Sequence, residues 1–134
     1  MSTALSVIQL HYAASERGDL AGMIAPFAEG IEWTEMAGFP YAGTYVGPPA
    51  VRTHVFERLG AEWSDYRADP ESFVVDGDAE CCQVVAFGVY SGTYRATGRS
   101  MRARFVHHWT LAGDEVVRFE QYTDTALVRA AMEP

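Results

Sequence analysis

The sequence contains no lysine; all ten of its basic residues are arginines. That removes Schiff-base catalysis and any phosphate loop built on a lysine. Cysteine is scarce as well: only Cys81 and Cys82 occur, side by side. Neighbours on a strand point to opposite faces, and a disulfide between them would be strained and would cross-link almost nothing. Two reduced cysteines in a buried strand are expected instead. No Cys-x-x-Cys or His-Glu-x-x-His motif is present, and His107 and His108 cannot put both rings on one metal from a regular strand, so no metal is expected. A dinucleotide-binding glycine pattern and a Gly-x-Ser-x-Gly elbow are also missing, and no cofactor is expected. No apolar run approaches the roughly 20 residues that span a bilayer. The opening stretch lacks a basic leader and a long apolar core, so no signal peptide and a cytoplasmic location are expected. Basic residues are outnumbered, 10 against 18 acidic ones, for a net charge of −8. Nucleic acid and anionic membrane are therefore poor partners, since both need a basic footprint.

What remains is a chain of 134 residues, 49% hydrophobic. One domain over 1–134 is expected, long enough to bury a sizeable core. Residues 3–16 read as a helix with Leu5, Ile8 and Tyr12 in an apolar stripe flanked by His11. Asp19 can cap a second helix through Phe27. Residues 31–35 alternate, so Ile31, Trp33 and Glu35 share one face. Residues 36–49 are rich in Gly, Pro and aromatics and read as a loop with a short strand near Tyr45. Pro49 can open a third helix running to about Gly60. Four strands follow: 63–75 with a break at Asp69-Pro70, 81–94, 101–111, and one carrying Val117, Phe119 and Gln121 inward. On the third of these, Ala103, Phe105, His107, Trp109 and Leu111 share a face. A last helix spans 125–132. Hairpin-linked strands preceded by helices imply an α+β fold: a curved antiparallel sheet wrapped around N-terminal helices, enclosing a pocket.

Two polar residues fall on apolar faces: Glu35 beside Trp33, and His107 between Phe105 and Trp109. A carboxylate facing an apolar interior costs several kcal/mol unless it is paired or protonated. Burial raises its pKa toward neutrality, as a general base or acid requires. An imidazole in the same cavity can pair with it or shuttle a proton. The plain alternatives are a Glu35 in solvent at its strand end and a hydrogen-bonded core His107. His11 is either a third member or a partly exposed flank residue. Asp124 is either a pocket acid, which needs a bulge, or the N-cap of the last helix. Candidate ligand contacts are Tyr12, Trp33, Phe39, Tyr41, Phe105, Trp109 and Gln121.

The run Gly18-Asp19-Leu20, Phe27-Ala28, the strand Ile31 to Glu35, the segment Gly43 to Pro48 and the ending Phe119 to Thr125 resemble the nuclear transport factor 2-like superfamily. The likeness is to its SnoaL-like, ketosteroid isomerase-related branch. That resemblance implies a cone-shaped sheet around a pocket for a small-molecule ligand, and a homodimer formed through the sheet. By it, the isomerase base falls on Glu35, the oxyanion-hole tyrosine on His11 with Tyr12 adjacent, and the oxyanion-hole aspartic acid on His107. Asp124 corresponds loosely to the acidic residue of the cyclases. The implied function is a cofactor-independent acid/base enzyme of isomerase, cyclase or dehydratase type acting on a small apolar or aromatic carbonyl compound. The competing readings are a non-catalytic small-molecule binding protein, and a dimeric scaffold whose pocket is filled by Trp33, Trp63 and Trp109.

Overall fold

The computed structural model describes residues 3–134. Helix α1 (Ala4–Glu16) begins at Thr3, whose hydroxyl accepts from the Ser6 amide while Ser6 Oγ accepts from the Thr3 amide. This reciprocal pair satisfies two amides that a helix start leaves open. Helix α2 (Leu20–Ile24) is capped by Asp19, as its sequence predicts. It is shorter than the expected helix: Phe27 opens strand β1 (Phe27–Glu35) instead of ending α2.

The remaining elements are β2 (Gly43–Val46), α3 (Pro48–Val51), α4 (Glu57–Glu62), β3 (Trp63–Gly77), β4 (Cys81–Tyr94), β5 (Ser100–Ala112), β6 (Glu115–Thr123) and α5 (Thr125–Met132). Six strands form one curved sheet in the order β2-β1-β6-β5-β4-β3. The long hairpins from β3 to β6 are antiparallel, but β1 lies parallel to β6. The parallel pair follows from the chain path, because the helices and four strands intervene between β1 and β6.

Between α3 and α4, residues Arg52–Phe56 form a wide turn in which the Glu57 amide reaches back five residues to the Arg52 carbonyl. Such insertions re-aim the side chains around them. Here three consecutive residues, Val55, Phe56 and Glu57, reach the same cavity wall.

The core lies on the concave face of the sheet and is arranged in cross-strand rows. Trp33, Phe119, Trp109 and Val84 form one row across β1, β6, β5 and β4. The Trp33 and Phe119 rings stack at 3.6 Å between centroids. Gly88 sits opposite Phe105, and a Cβ there would collide with the Phe105 ring and the Asp69 carbonyl oxygen. Only glycine lets that ring lie across β4.

One expectation about alternation needs correction. A register shift at Thr110/Leu111 places Val116 inward and leaves Val117 only partly buried, because a bulge changes which residues share a face. Cys82 is buried while Cys81 is exposed and both are free thiols, as opposite faces imply, but the strand is buried on one face only.

Candidate active site

The row beside Trp33 and its partners is polar. Thr34 pairs with Glu120, so Glu35 sits next to Gln121 on β6; Gln121 pairs with His107 on β5, and His107 with Ala86 on β4. The sequence pattern alone puts Glu35, Gln121 and His107 on the inner face. The sheet order, with β1 against β6, makes them neighbours.

This row borders a cavity of about 450 Å³. Met23, Trp33, Val55, Phe56, Leu59 and Phe119 supply much of its apolar wall, and Glu35, His11, Tyr12, Tyr66, Tyr90 and His107 its polar one. Exposed Gly18, Glu57 and Gly60 mark its mouth, between the end of α1 and helix α4. The collapsed-pocket reading therefore fails. Trp63 and Trp109 do not line the cavity, and Trp33 forms part of its wall rather than filling it.

Glu35 is 3% exposed. Burial pushes its pKa up to about 8, with the Trp33 indole N–H pulling the other way. That N–H makes no hydrogen bond of normal geometry, and it is the only buried side-chain nitrogen or oxygen among the described residues left without a partner. The carboxyl oxygens of Glu35 likewise accept no hydrogen bond among the described residues, so they must open on the cavity. A carboxyl held this way is predominantly protonated at neutral pH and ionises just above it.

His11 is 4% exposed, so the partly exposed alternative is corrected. Its Nδ1 lies 2.9 Å from the Met23 carbonyl oxygen. A carbonyl only accepts, so Nδ1 carries the proton and donates. Burial lowers the His11 pKa to about 4, against the raising effect of that bond, and keeps the ring neutral. Nε2 is then a bare lone pair on the cavity side. His11 can accept there but cannot donate, so it cannot hold an enolate oxygen as an oxyanion-hole tyrosine would.

His107 is engaged on both sides. Its Nδ1 lies 2.6 Å from the Tyr12 hydroxyl and its Nε2 2.5 Å from the Tyr90 hydroxyl. Burial, with a smaller contribution from His11, lowers its pKa well below the usual imidazole range. The two hydroxyls are held in turn: Trp109 Nε1 donates to Tyr12 at 3.0 Å, and Gln121 Nε2 donates to Tyr90 at 3.0 Å. The Met36 amide donates to Gln121 Oε1 at 3.3 Å, which fixes the amide's orientation. Burial raises the pKa of both tyrosines, so they stay hydroxyl donors. Once ionised, Glu35 adds to this at Tyr66 and Tyr90.

The other candidates separate. Tyr12 and Trp33 line the cavity, while Trp109 and Gln121 stand behind it and hold Tyr12 and Tyr90. Phe105 stacks on His107 at 3.9 Å between centroids and is not in the wall. Phe39 and Tyr41 are buried away from the cavity. The Tyr41 hydroxyl donates to Glu62 and accepts from Trp63 Nε1, so it fastens the 36–49 loop to the base of β3. Asp124 is not a pocket acid: its carboxylate accepts from the Leu127 amide and caps α5. It lines a different cleft, with Glu71, Arg102 and Arg104. Tyr66 and Tyr90 are wall residues that the residue pattern does not single out. Tyrosines at strand positions carry no signal that separates core from cavity. Among the described residues, no three His, Cys, Asp or Glu side chains converge to hold a metal ion. No helix among them is long and apolar enough to cross a membrane.

Residues 8–119 match the SnoaL-like domain. The chain belongs to the SnoaL-like family. An NTF2-like protein from Burkholderia thailandensis is 46% identical over the whole of both chains, with a TM-score of 0.93. An NTF2-like protein of unknown function from Burkholderia pseudomallei is 26% identical over the whole of both chains, with a TM-score of 0.87. TerC, co-crystallised with polyporic acid, shares 24% identity over 99% of this chain and 100% of that one, with a TM-score of 0.86. No curated protein matches the chain. The SnoaL-like fold thus accounts for the curved sheet, the helices at its mouth and the cavity between them.

Proposed function

We propose that this SnoaL-like protein is a cofactor-independent acid/base enzyme acting on a small apolar or aromatic carbonyl compound held in the cavity. One observation carries the reading: an unpartnered carboxyl, Glu35, opens on a mostly apolar cavity with its pKa raised to about 8. In its ionised form Glu35 takes a proton from the carbon next to the carbonyl. The electron pair moves into the carbonyl, and the resulting enolate oxygen is held by a tyrosine hydroxyl of the wall. Protonation at another carbon gives an isomer; loss of water or attack on a second carbonyl gives a dehydrated or cyclised product. Hydroxyls aimed at a developing oxyanion in a water-poor site lower the barrier. His11 Nε2 orients a donor group on the substrate.

The test is proton exchange at the carbon beside the carbonyl in deuterated water, with a panel of enolisable ketones and hydroxyquinones. Polyporic acid, the compound crystallised with TerC, is a sensible first probe for binding. Exchange should rise with pH through about 8, as Glu35 ionises. Glu35→Gln should lower turnover by about 10²- to 10⁴-fold, the usual contribution of a positioned base. Unchanged turnover in a folded variant overturns the reading.

The second reading, a non-catalytic binding protein, is favoured by His107, whose two nitrogens both bond within the protein. It predicts ligand affinity that survives Glu35→Gln and no exchange with any ligand that binds. Pairing of two copies through the outer face of the sheet belongs to either reading. Phe87, Val106 and Tyr122 form a row there, with Phe87 40% and Tyr122 46% exposed.

A further inference from the structure

We propose that Tyr12, His107 and Tyr90 form a proton relay joining two points on the cavity wall. The argument is a count of protons and lone pairs. Trp109 Nε1 and Gln121 Nε2 are donors only, so each takes one lone pair of a tyrosine hydroxyl, at Tyr12 and Tyr90 respectively. Each hydroxyl has one proton left to place. His107 lies between them, buried, with no carboxylate among the described residues bonded to it, and is therefore neutral: one of its nitrogens is a donor and the other an acceptor. Its low basicity is in keeping with this.

Only two arrangements satisfy every partner. In the first, Tyr12 donates to Nδ1, Nε2–H donates to Tyr90, and the Tyr90 proton is free to enter the cavity. In the second, Nδ1–H donates to Tyr12, Tyr90 donates to Nε2, and the Tyr12 proton is free. Both tyrosines line the cavity. At any moment one of the two offers a hydroxyl donor, and the tautomer of His107 decides which.

The arrangements interconvert by moving protons along the chain. Tyr90 gives its free proton to the ligand and takes the proton from Nε2. Nδ1 takes the proton of Tyr12, and Tyr12 takes one from the ligand. Four protons move, no residue is left charged, and no oxidant or cofactor is involved. The ligand gains a proton at one end and loses one at the other. The ligand class that uses this is a conjugated hydroxy-carbonyl compound, whose O–H and C=O exchange across a conjugated system. A single carboxyl such as Glu35 would have to swing between the two ends to do the same. The use of the relay in turnover rests on the acid/base reading above; its existence does not.

The test is nitrogen NMR on full-length protein carrying ¹⁵N-labelled histidine, with His107 assigned by its through-bond couplings. In the unliganded protein, water entering the cavity past Gly18, Glu57 and Gly60 takes the ligand's part in the cycle, so Nδ1 and Nε2 should show averaged shifts, between the values of a protonated and a bare ring nitrogen. Tyr12→Phe removes the partner at Nδ1 and should settle the proton on Nε2; Tyr90→Phe should settle it on Nδ1. One fixed tautomer in the unsubstituted protein, or a doubly protonated ring, overturns the relay. That spectrum decides even if a variant fails to fold. Glu35→Gln should lower exchange on ligands by about 10²- to 10⁴-fold yet leave the averaged His107 shifts in place, so failure of the enzyme reading and failure of the relay give different results.

Discussion

His107 and His108 are neighbours in the chain and occupy different solvents. His107 lies on the concave face, 5% exposed, between two tyrosine hydroxyls. His108 lies on the convex face, where it meets Gln83 and, at 3.6 Å, Glu120. The rows of the two faces interleave. Trp33, Phe119, Trp109 and Val84 alternate along their strands with Glu120, His108 and Val85, while Phe87, Val106 and Tyr122 stand on the far side. A strand reverses its side chains at every residue, so one sheet carries a buried inner wall and a more exposed outer one. The proposed chemistry is confined to the face where burial can shift a pKa.

The largest test of that contrast is to truncate one aromatic on each face. Trp109 is fully buried and donates to Tyr12, so Trp109→Ala should cost about 3–5 kcal/mol in urea unfolding. Phe87→Ala should cost under about 1 kcal/mol if the outer face is open to water, since little apolar surface is lost from contact. A cost comparable to that of Trp109 would mean that a second copy covers Phe87. Light scattering of the same variant would then show a change of mass.

The pH dependence of stability sharpens the comparison. The folded-state pKa values of His11 and His107 are lowered, chiefly by burial, from an ordinary 6.5. Their contribution is complete above pH 6.5 and is lost as pH falls toward about 4, the value for His11. Glu35 runs the other way. Its folded pKa is raised from 4.5 to about 8, so it favours the fold below 4.5 and that contribution is lost as pH rises through 8. The protein should be most stable between these limits. Glu35→Gln should gain up to a few kcal/mol over the parent at pH 9 relative to pH 5, since a tenfold change in proton affinity is worth about 1.4 kcal/mol. Equal differences at both pH values would mean that Glu35 is not buried as an isolated carboxyl.

The contrast between faces is legible in the sequence wherever alternation is regular. The 101–111 strand shows it: its pattern alone separates His107 from His108, and the structure keeps every assignment. Legibility fails where the backbone slips by a residue. Alternation points Val117 inward, but a shift opposite Thr110/Leu111 puts Val116 there instead. Another shift, between Ser64 and Arg67, includes Asp65 at φ 53°, a backbone choice that no residue pattern announces. Glu35 and His107 stand out because a polar residue on an apolar face violates the pattern, and the violation marks the site. Tyr66 and Tyr90 do not, because a tyrosine fits a core face as well as a cavity wall. The nearness of Glu35 to the His107 row depends on β1 lying against β6, a pairing set by the whole chain path rather than by any local run.

The smallest effect belongs to Asp124, the acid that the family likeness brings toward the cavity. It follows Thr123 at the end of β6, and inward alternation fails there without a bulge. Its carboxylate instead takes the Leu127 amide at 3.2 Å and faces the cleft with Arg102 and Arg104. A side chain used this way supports a helix end and touches nothing in the cavity. Asp124→Ala should therefore lose about 1 kcal/mol of stability, as removal of an N-cap usually does. Asp124→Asn, which keeps the cap, should cost a few tenths of that. Neither should change turnover or ligand affinity. A large loss of turnover in the folded Asn variant would mean that an acid reaches the ligand from the convex side, and the separation of the two faces would no longer hold.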